Sequence, residues 1–230
     1  MDKYEIVKKI ENFAPLDTQE DWDCSGWSVD YFGKADISKV MLCLTVTDDV
    51  IGQARENKCD MIVSHHPLFF VPFEWRDINI YSAHTNMDLA HGGTTDTLIN
   101  NLGFANNVIE SDEGFIRYIN VDVSIFAFCQ TLKKISPNLR YVNNKGVERL
   151  KKIAFCAGSG SEFIQEAFDN GADALVTGDL KFHTVLESPI VLFDIGHFES
   201  EILVLPVFEK LIGSGVEICY AKEKSPFLTM

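Results

Sequence analysis

Two adjacent imidazoles, His65 and His66, stand directly after the apolar run Met61–Val63 and Ser64, and directly before Pro67. Neighbouring side chains leaving a strand end diverge, so each imidazole suits one member of a metal pair better than both suit one small ion. Neutral imidazole ligates Zn, Fe, Mn and similar ions through a ring nitrogen, and Pro67 fixes the chain direction just after the pair. A second group lies far along the chain. His197 and Glu201 are four residues apart, and on a helix that spacing puts imidazole and carboxylate on one face. A carboxylate has two oxygens and can bridge two cations. Asp88 supplies another carboxylate, four residues after His84. Together His65, His66, Asp88, His197 and Glu201 make a mixed nitrogen–oxygen set of the kind that holds two metals, activates water and clamps a substrate oxygen. Singly, each has a plainer reading: a surface loop for the histidine pair, an exposed helix pair for His197 and Glu201, a helix cap for Asp88.

Several neighbours could assist. His84 is placed to orient Asp88 or touch substrate, or to be a buried, hydrogen-bonded histidine. Asp179 and His183, in TGDLKFH, could form an acid–base pair or support ligand imidazoles. Gly158, Ser159 and Gly160 could present backbone N–H groups to an anion, although an ordinary tight turn explains them as well.

These residues must be held by strand ends, and the chain supplies strands in two similar sets. VMLCLTVTDDVIGQARENKCDMIVSHHPLFF, from Val40, aligns with KIAFCAGSGSEFIQEAFDNGADALVTGDLKFH, from Lys152, at a shift of 113. Cys43 then falls on Cys156, Asn57 on Asn170, Asp60 on Asp173 and Ser64 on Thr177. The same shift carries His84 onto His197 and Asp88 onto Glu201. Each copy reads as strand, helix, acidic turn and buried strand, which predicts an α/β fold of two similar subdomains related by a pseudo-two-fold axis. Ligands of open α/β sheets sit outside the carboxyl ends of strands, where all the candidate residues fall. The expected division is 1–108 and 109–230, with the C-terminal strand able to return to the first subdomain. Residues 16–33 read as a polar, turn-like stretch, and a helix from about His197 is expected to break at Pro206.

The chain has 230 residues, enough for one large or two small cores. Its amino terminus carries charges throughout, and no window approaches the length of a membrane helix. Six cysteines stand singly, without a C-x-x-C pair, and read as reduced structural thiols, Cys43 and Cys156 inside apolar runs. These features place the chain in the cytoplasm, away from membranes. A net charge of −14 repels a phosphate backbone and argues against duplex nucleic acid as a partner. A small anionic substrate stays compatible, because bound metals reverse the local sign.

APLDTQEDWDCSGWSVD, VSHHPLFF, HTNMD with GGTTD, GSGS, GADALVTGDLKFH and DIGHFESE occur in this order. Through them the sequence resembles the Nif-three-like dinuclear-metal-centre family, often labelled GTP cyclohydrolase I type 2 homologues. The resemblance covers nearly the whole chain. It implies two metal ions at His65, His66, Asp88, His197 and Glu201, two α/β subdomains, and a ring-shaped homohexamer with its sites facing an internal cavity. Only about 40 residues separate the repeats, so the chain is similar to the short form without an inserted domain. Cys24 and Trp27 replace an asparagine and a leucine frequent in the family, outside the ligand set. The implied activity is hydrolysis of a nucleotide or phosphorylated small molecule, with Glu201, His183 and His84 as candidate catalytic groups. The competing reading is a non-catalytic metal-binding or regulatory scaffold. A metallophosphoesterase lacks support, because the early D-x-H and later GNH of that class are missing.

Overall fold

Helix α1 (Lys3–Glu11) opens the chain, capped by Asp2, which accepts from the Tyr4 amide at 2.8 Å. A computed structural model describes residues 1–109 and 114–228. They form two compact units: Met1–Gly93 with Val204–Lys224, and Thr94–Leu203 with the chain from Ser225 onward. In the first unit α1 is followed by β1 (Gly26–Val29), β2 (Lys39–Cys43), α2 (Asp48–Glu56), β3 (Met61–Ser64), β4 (Asn79–Ser82) and α3 (Thr85–Leu89). Strands β2, β3 and β4 are parallel neighbours, with Val40 opposite Met61 and Met61 opposite Asn79. Their carboxyl ends therefore share one edge of the sheet. Both faces are covered, which explains the unbroken apolar runs: Met41, Cys43, Ile62 and Ile80 pack with Val50, Ile51 and Ala54 of α2. The stretch expected to be turn-like contains β1, an edge strand antiparallel to β4. Four residues among polar neighbours are too few to show alternation.

The second unit runs through α4 (Thr94–Asn101), β5 (Val108–Ile109), β6 (Arg117–Ser124), α5 (Ile125–Leu132), β7 (Arg140–Val142), β8 (Arg149–Phe155), α6 (Ile164–Asp169), β9 (Ala174–Thr177), α7 (Phe182–Val185), β10 (Val191–Asp194) and α8 (His197–Glu201). Its sheet has the order β5-β6-β8-β9-β10-β7, with β8, β9 and β10 parallel. Phe155 and Phe193 face a core shared with Leu98 of α4 and Phe128 of α5. Ala154 and Leu192, one position earlier, face the opposite core with Ile164 and Ala167.

The internal repeat extends to individual hydrogen bonds. Ile153 lies opposite Ala174, the counterpart of Val40 opposite Met61. Asp60 Oδ2 accepts from the amides of Ser38 and Lys39 at 2.7 and 3.2 Å. Asp173 Oδ2 accepts from those of Lys151 and Lys152 at 2.6 and 3.0 Å. The copies slip in the third strand, where Met61 faces Asn79 but Ala174 faces Val191, one position short of the shift. Two residues, Ile195 and Gly196, separate β10 from His197, whereas Ala83 alone separates β4 from His84. Gly196 thereby restores the spacing.

After α8 the chain returns to the first unit. A short 3-10 turn, Ile202–Val204, precedes α9 (Leu205–Ile212), and β11 (Glu217–Tyr220) pairs parallel with β2. Pro206 does not interrupt a helix. It occupies the first turn of α9, where its missing N–H costs nothing. The expected boundary after residue 108 also differs from the division at Gly93, because Leu98, Ile99 and Leu102 are buried in the second unit's core.

Candidate metal centre

In the first unit three imidazoles gather where the parallel strands end. His65 and His66 follow β3, and His84 follows β4. Their ring centroids lie 5.1 Å (His65–His66), 5.2 Å (His65–His84) and 5.5 Å (His66–His84) apart. One ring nitrogen from each falls within 4.8 Å of the others. All three commit Nδ1 outward. His65 Nδ1 donates to the Ala83 carbonyl at 2.9 Å, which leaves the lone pair on Nε2, 3.4 Å from Asp88 Oδ1. His84 Nδ1 lies 3.0 Å from Asp23 Oδ1. His66 Nδ1 lies 2.7 Å from the Thr45 hydroxyl, and Thr45 is itself held by its amide, which donates to Glu223 Oε1 at 3.0 Å. Histidines that bind metals are oriented in this way by a carbonyl, carboxylate or hydroxyl on the second nitrogen.

Asp23 is buried, and burial alone would raise its pKa. Hydrogen bonds from Thr85 and from His84 more than offset this and hold it at about 2. The group is a carboxylate at neutral pH, so His84 Nδ1 carries the proton and donates. Burial likewise pushes Glu223 up, opposed by the amides of Leu44 and Thr45.

In the second unit, His197 and Glu201 are the first and last residues of α8, and His197 Nε2 lies 2.9 Å from Glu201 Oε2. His197 Nδ1 lies 2.7 Å from Asp179 Oδ2, just past the end of β9. Burial disfavours the charged ring, but Glu201 and then Asp179 outweigh it and raise its pKa to about 9. Glu201 is 3% exposed. A carboxylate so enclosed requires a cation, and without a metal the imidazolium proton supplies the charge. Gly158 makes room for it: a Cβ there would stand 2.0 Å from Glu201 Oε1. The donor chemistry of both units fits divalent metals with nitrogen and oxygen ligands.

Among the sequence-derived candidates, the fold brings His65, His66, His84 and Asp88 together in the first unit. It joins His197, Glu201 and Asp179 in the second. His183 is exposed on α7, its ring edge-on to Phe182, and joins neither group. In the Gly158–Gly160 loop the Gly158 amide donates to Ser200 Oγ and that of Gly160 to Thr177 Oγ1, so two of its three amides are committed within the protein. Asp23, Thr45 and Glu223 escaped the sequence reading. Asp23 lies within the DWDCSGW motif, whereas nothing local to Glu223 marks it. Among the described residues no helix is long and apolar enough to cross a membrane.

The sequence profile of the Duf34/NIF3 (NGG1p interacting factor 3) family matches residues 1–76 and 73–226. A "GTP cyclohydrolase 1 type 2 homolog" of Clostridium perfringens is 35% identical over 97% of both chains. The "NIF3-like protein 1" of Drosophila melanogaster is 28% identical over 79% of this chain and 70% of its own. Among solved structures, reduced HcgD from Methanocaldococcus jannaschii superposes with a TM-score of 0.82 at 28% identity, covering 97% of this chain and 98% of its own. A Bacillus cereus protein related to NIF3 reaches 0.84 at 19% identity over 100% and 99%.

Proposed function

The chain belongs to the Duf34/NIF3 family, and from that premise we propose that it holds two divalent metal ions and hydrolyses a nucleotide or related phosphorylated small molecule. The observation that carries this reading is the shared orientation of three imidazoles, each tied through Nδ1 to Ala83, Thr45 or Asp23. Such tethering aims Nε2 of His65 and His66 as ligands before any ion arrives, and leaves Nε2 of His84 free to meet substrate. The proposed ligands are His65, His66, Asp88, His197 and Glu201, and the donor set accommodates Zn, Fe or Mn. A metal pair supplies an acidified water and a clamp for a substrate oxygen. The chain's own groups handle protons: His84, backed by the ionised Asp23, accepts one at Nε2 and returns it to the leaving atom. Glu201 orients the attacking water, and His183, exposed and outside both groups, is left out of the mechanism. GTP is the first substrate to test, following the name carried by the bacterial relatives.

Elemental analysis of the purified protein is expected to find about two metals per chain. Unchanged stoichiometry after His65→Ala with His66→Ala would sink the ligand assignment. Turnover across a nucleotide panel, lost in Glu201→Ala while metal is retained in part, supports the hydrolase. A full metal complement with no turnover on any nucleotide supports the scaffold instead.

The proposal extends to a cytoplasmic homohexamer. Phe69, Phe70 and Phe73 are 74%, 77% and 80% exposed in the single chain, an apolar display suited to burial between copies. Light scattering that returns a monomer mass at micromolar concentration removes this part.

A further inference from the structure

Two of the six cysteines meet. The sulfurs of Cys59 and Cys219 lie 3.4 Å apart, in the first unit, although 160 positions separate them in sequence. Cys59 sits in the turn that leads into β3. Cys219 lies on β11, opposite Met41 of β2. Both are half-buried. A disulfide needs about 2.05 Å between sulfurs, so closure asks for a small rotation of two side chains.

Cys59 lines a recess of about 220 Å³ together with Lys34, Arg55, Asp60 and Asp77. Its two cations are each paired with a carboxylate, Lys34 with Asp60 at 3.2 Å and Arg55 with Asp77 at 2.8 Å, so the recess admits a small disulfide by its size and not by its charge. Burial, and then the hydrogen bond with Cys219, push the Cys59 thiol up to about 12, so thiolate is scarce near neutrality and exchange is slow.

We propose that Cys59 and Cys219 form a reversible disulfide that clips β11 onto the first unit's sheet when a low-molecular-weight disulfide such as oxidised glutathione accumulates. In the first step the Cys59 sulfur, having lost its proton, attacks one glutathione sulfur and expels the other as thiolate. The Cys219 thiolate then attacks the Cys59 sulfur and expels the second glutathione. The two protons lost by the cysteines end on the two glutathione thiols. Two electrons pass from the pair to the reagent, and no further oxidant is required.

The clip reaches the imidazole cluster through four residues of chain. Glu223, just beyond β11, accepts from the amides of Leu44 and Thr45 at 2.7 and 3.0 Å. Thr45 in turn meets His66. Fixing β11 therefore steadies the carboxylate that positions the His66 support. This coupling concerns the chain alone and holds whether or not the hydrolase reading does.

The full-length protein is equilibrated with reduced and oxidised glutathione in graded ratios, then trapped by acid and mapped by mass spectrometry without reduction. The expected product is a peptide pair joined through Cys59 and Cys219, having lost two hydrogens, with a melting temperature raised by roughly 5–10 °C. Dithiothreitol reverses both. Cys59→Ala and Cys219→Ala each abolish the link and the rise. If either folds poorly, Cys59→Ser or Cys219→Val gives the same reading. Amide exchange at Leu44 and Thr45 is expected to slow several-fold on oxidation. Glutathione retained as a mixed adduct at Cys59, or no joined pair at any ratio, overturns the proposal. A joined pair that leaves those two amides unchanged overturns the coupling to His66.

Discussion

Asp23 and His197 are two titrating groups whose environments pull in opposite directions, and each makes a measurable claim. Asp23 is ionised although buried, because the Thr85 hydroxyl and amide and the His84 ring all bond to it. Its folded pKa, about 2 against an ordinary 3.8, is depressed. The stability it contributes is present above the ordinary value and is lost as pH falls toward 2, about 2 kcal/mol in all. Urea unfolding is expected to find Asp23→Asn less stable than wild type by about that amount at pH 5. The gap closes near pH 2. Turnover should fall on the order of 10–100-fold in the same variant while the metal content holds, since His84, the proposed proton carrier, loses its anchor. An unchanged gap from pH 5 to pH 2 would refute the ionised-anchor account. His197 is the converse case. Burial works against its charge, yet Glu201 and Asp179 raise it to about 9. In chelator-treated protein its contribution is complete below pH 6.5 and is lost as pH rises through 9. With the ring a third exposed, about 1–2 kcal/mol is the expected size. Thermal melts at pH 6 and pH 9.5 read this loss. Added zinc, which replaces the proton between the carboxylates, should abolish it.

At the scale of elements, the two copies of strand–helix–strand solve the same turn with different residues. Asn57 and Asn170 end their helices by donating side-chain amides to Gln53 and Glu166 carbonyls at 2.8 and 2.9 Å. The next residue is left-handed in both: Gly171 at φ 74° and Lys58 at φ 57°. Glycine takes that conformation without a Cβ penalty. Lys58→Gly is therefore expected to stabilise by about 0.5–1 kcal/mol, and Gly171→Lys to cost a similar amount. Gly158 offers the opposite outcome. Its φ is 67°, and a Cβ would meet Glu201 Oε1 at 2.0 Å. Gly158→Ala should cost about 2–3 kcal/mol and weaken metal binding at Glu201, whereas Gly52→Ala, in open space on α2, should stabilise by about 0.5–1 kcal/mol. Chemical unfolding of the four variants decides the matter, and a neutral Gly158→Ala would mean that the carboxylate is not confined there. The parallel strands and their helices were readable because apolar runs and caps are local signals. The small element β1 was not, since an edge strand of four residues is defined by its partner β4. The histidines were readable by type and place. Their supports, Asp23, Thr45 and Glu223, were hidden because each acts across long separations that no local pattern records.

On the scale of the whole chain, order in sequence differs from order in space. The C-terminal strand was expected to be able to return to the first subdomain, and the returning segment is longer than that strand: the first unit is completed by Val204–Lys224, which brings α9 as well as β11. Helix α9 packs against α1 and β2, and Lys9 Nζ donates to the Ile212 carbonyl at 2.8 Å. Strand β11 covers the free edge of β2 with four residues in register. Glu223 then closes on Leu44 and Thr45. Sequence periodicity can assign α9 and β11 as elements but cannot say which sheet receives them, because a helix and a strand of this kind fit either unit. The physical consequence is that the first unit's fold waits on the last residues of the chain. Truncation after Leu203 should remove the cover from Val40 and Leu42, both fully buried, and expose β2 as an unpaired edge, a template for association. The expected result is an aggregating product that binds a hydrophobic dye and has lost amide protection in β2 and β3. Protection in β8, β9 and β10, whose partners all lie between residues 94 and 203, should persist. Adding residues 204–230 back as a separate peptide tests the same point from the other side: restored protection at Val40–Leu42 is expected. A truncated chain whose β2 and β3 remain protected would show that the first unit stands without its returning segment.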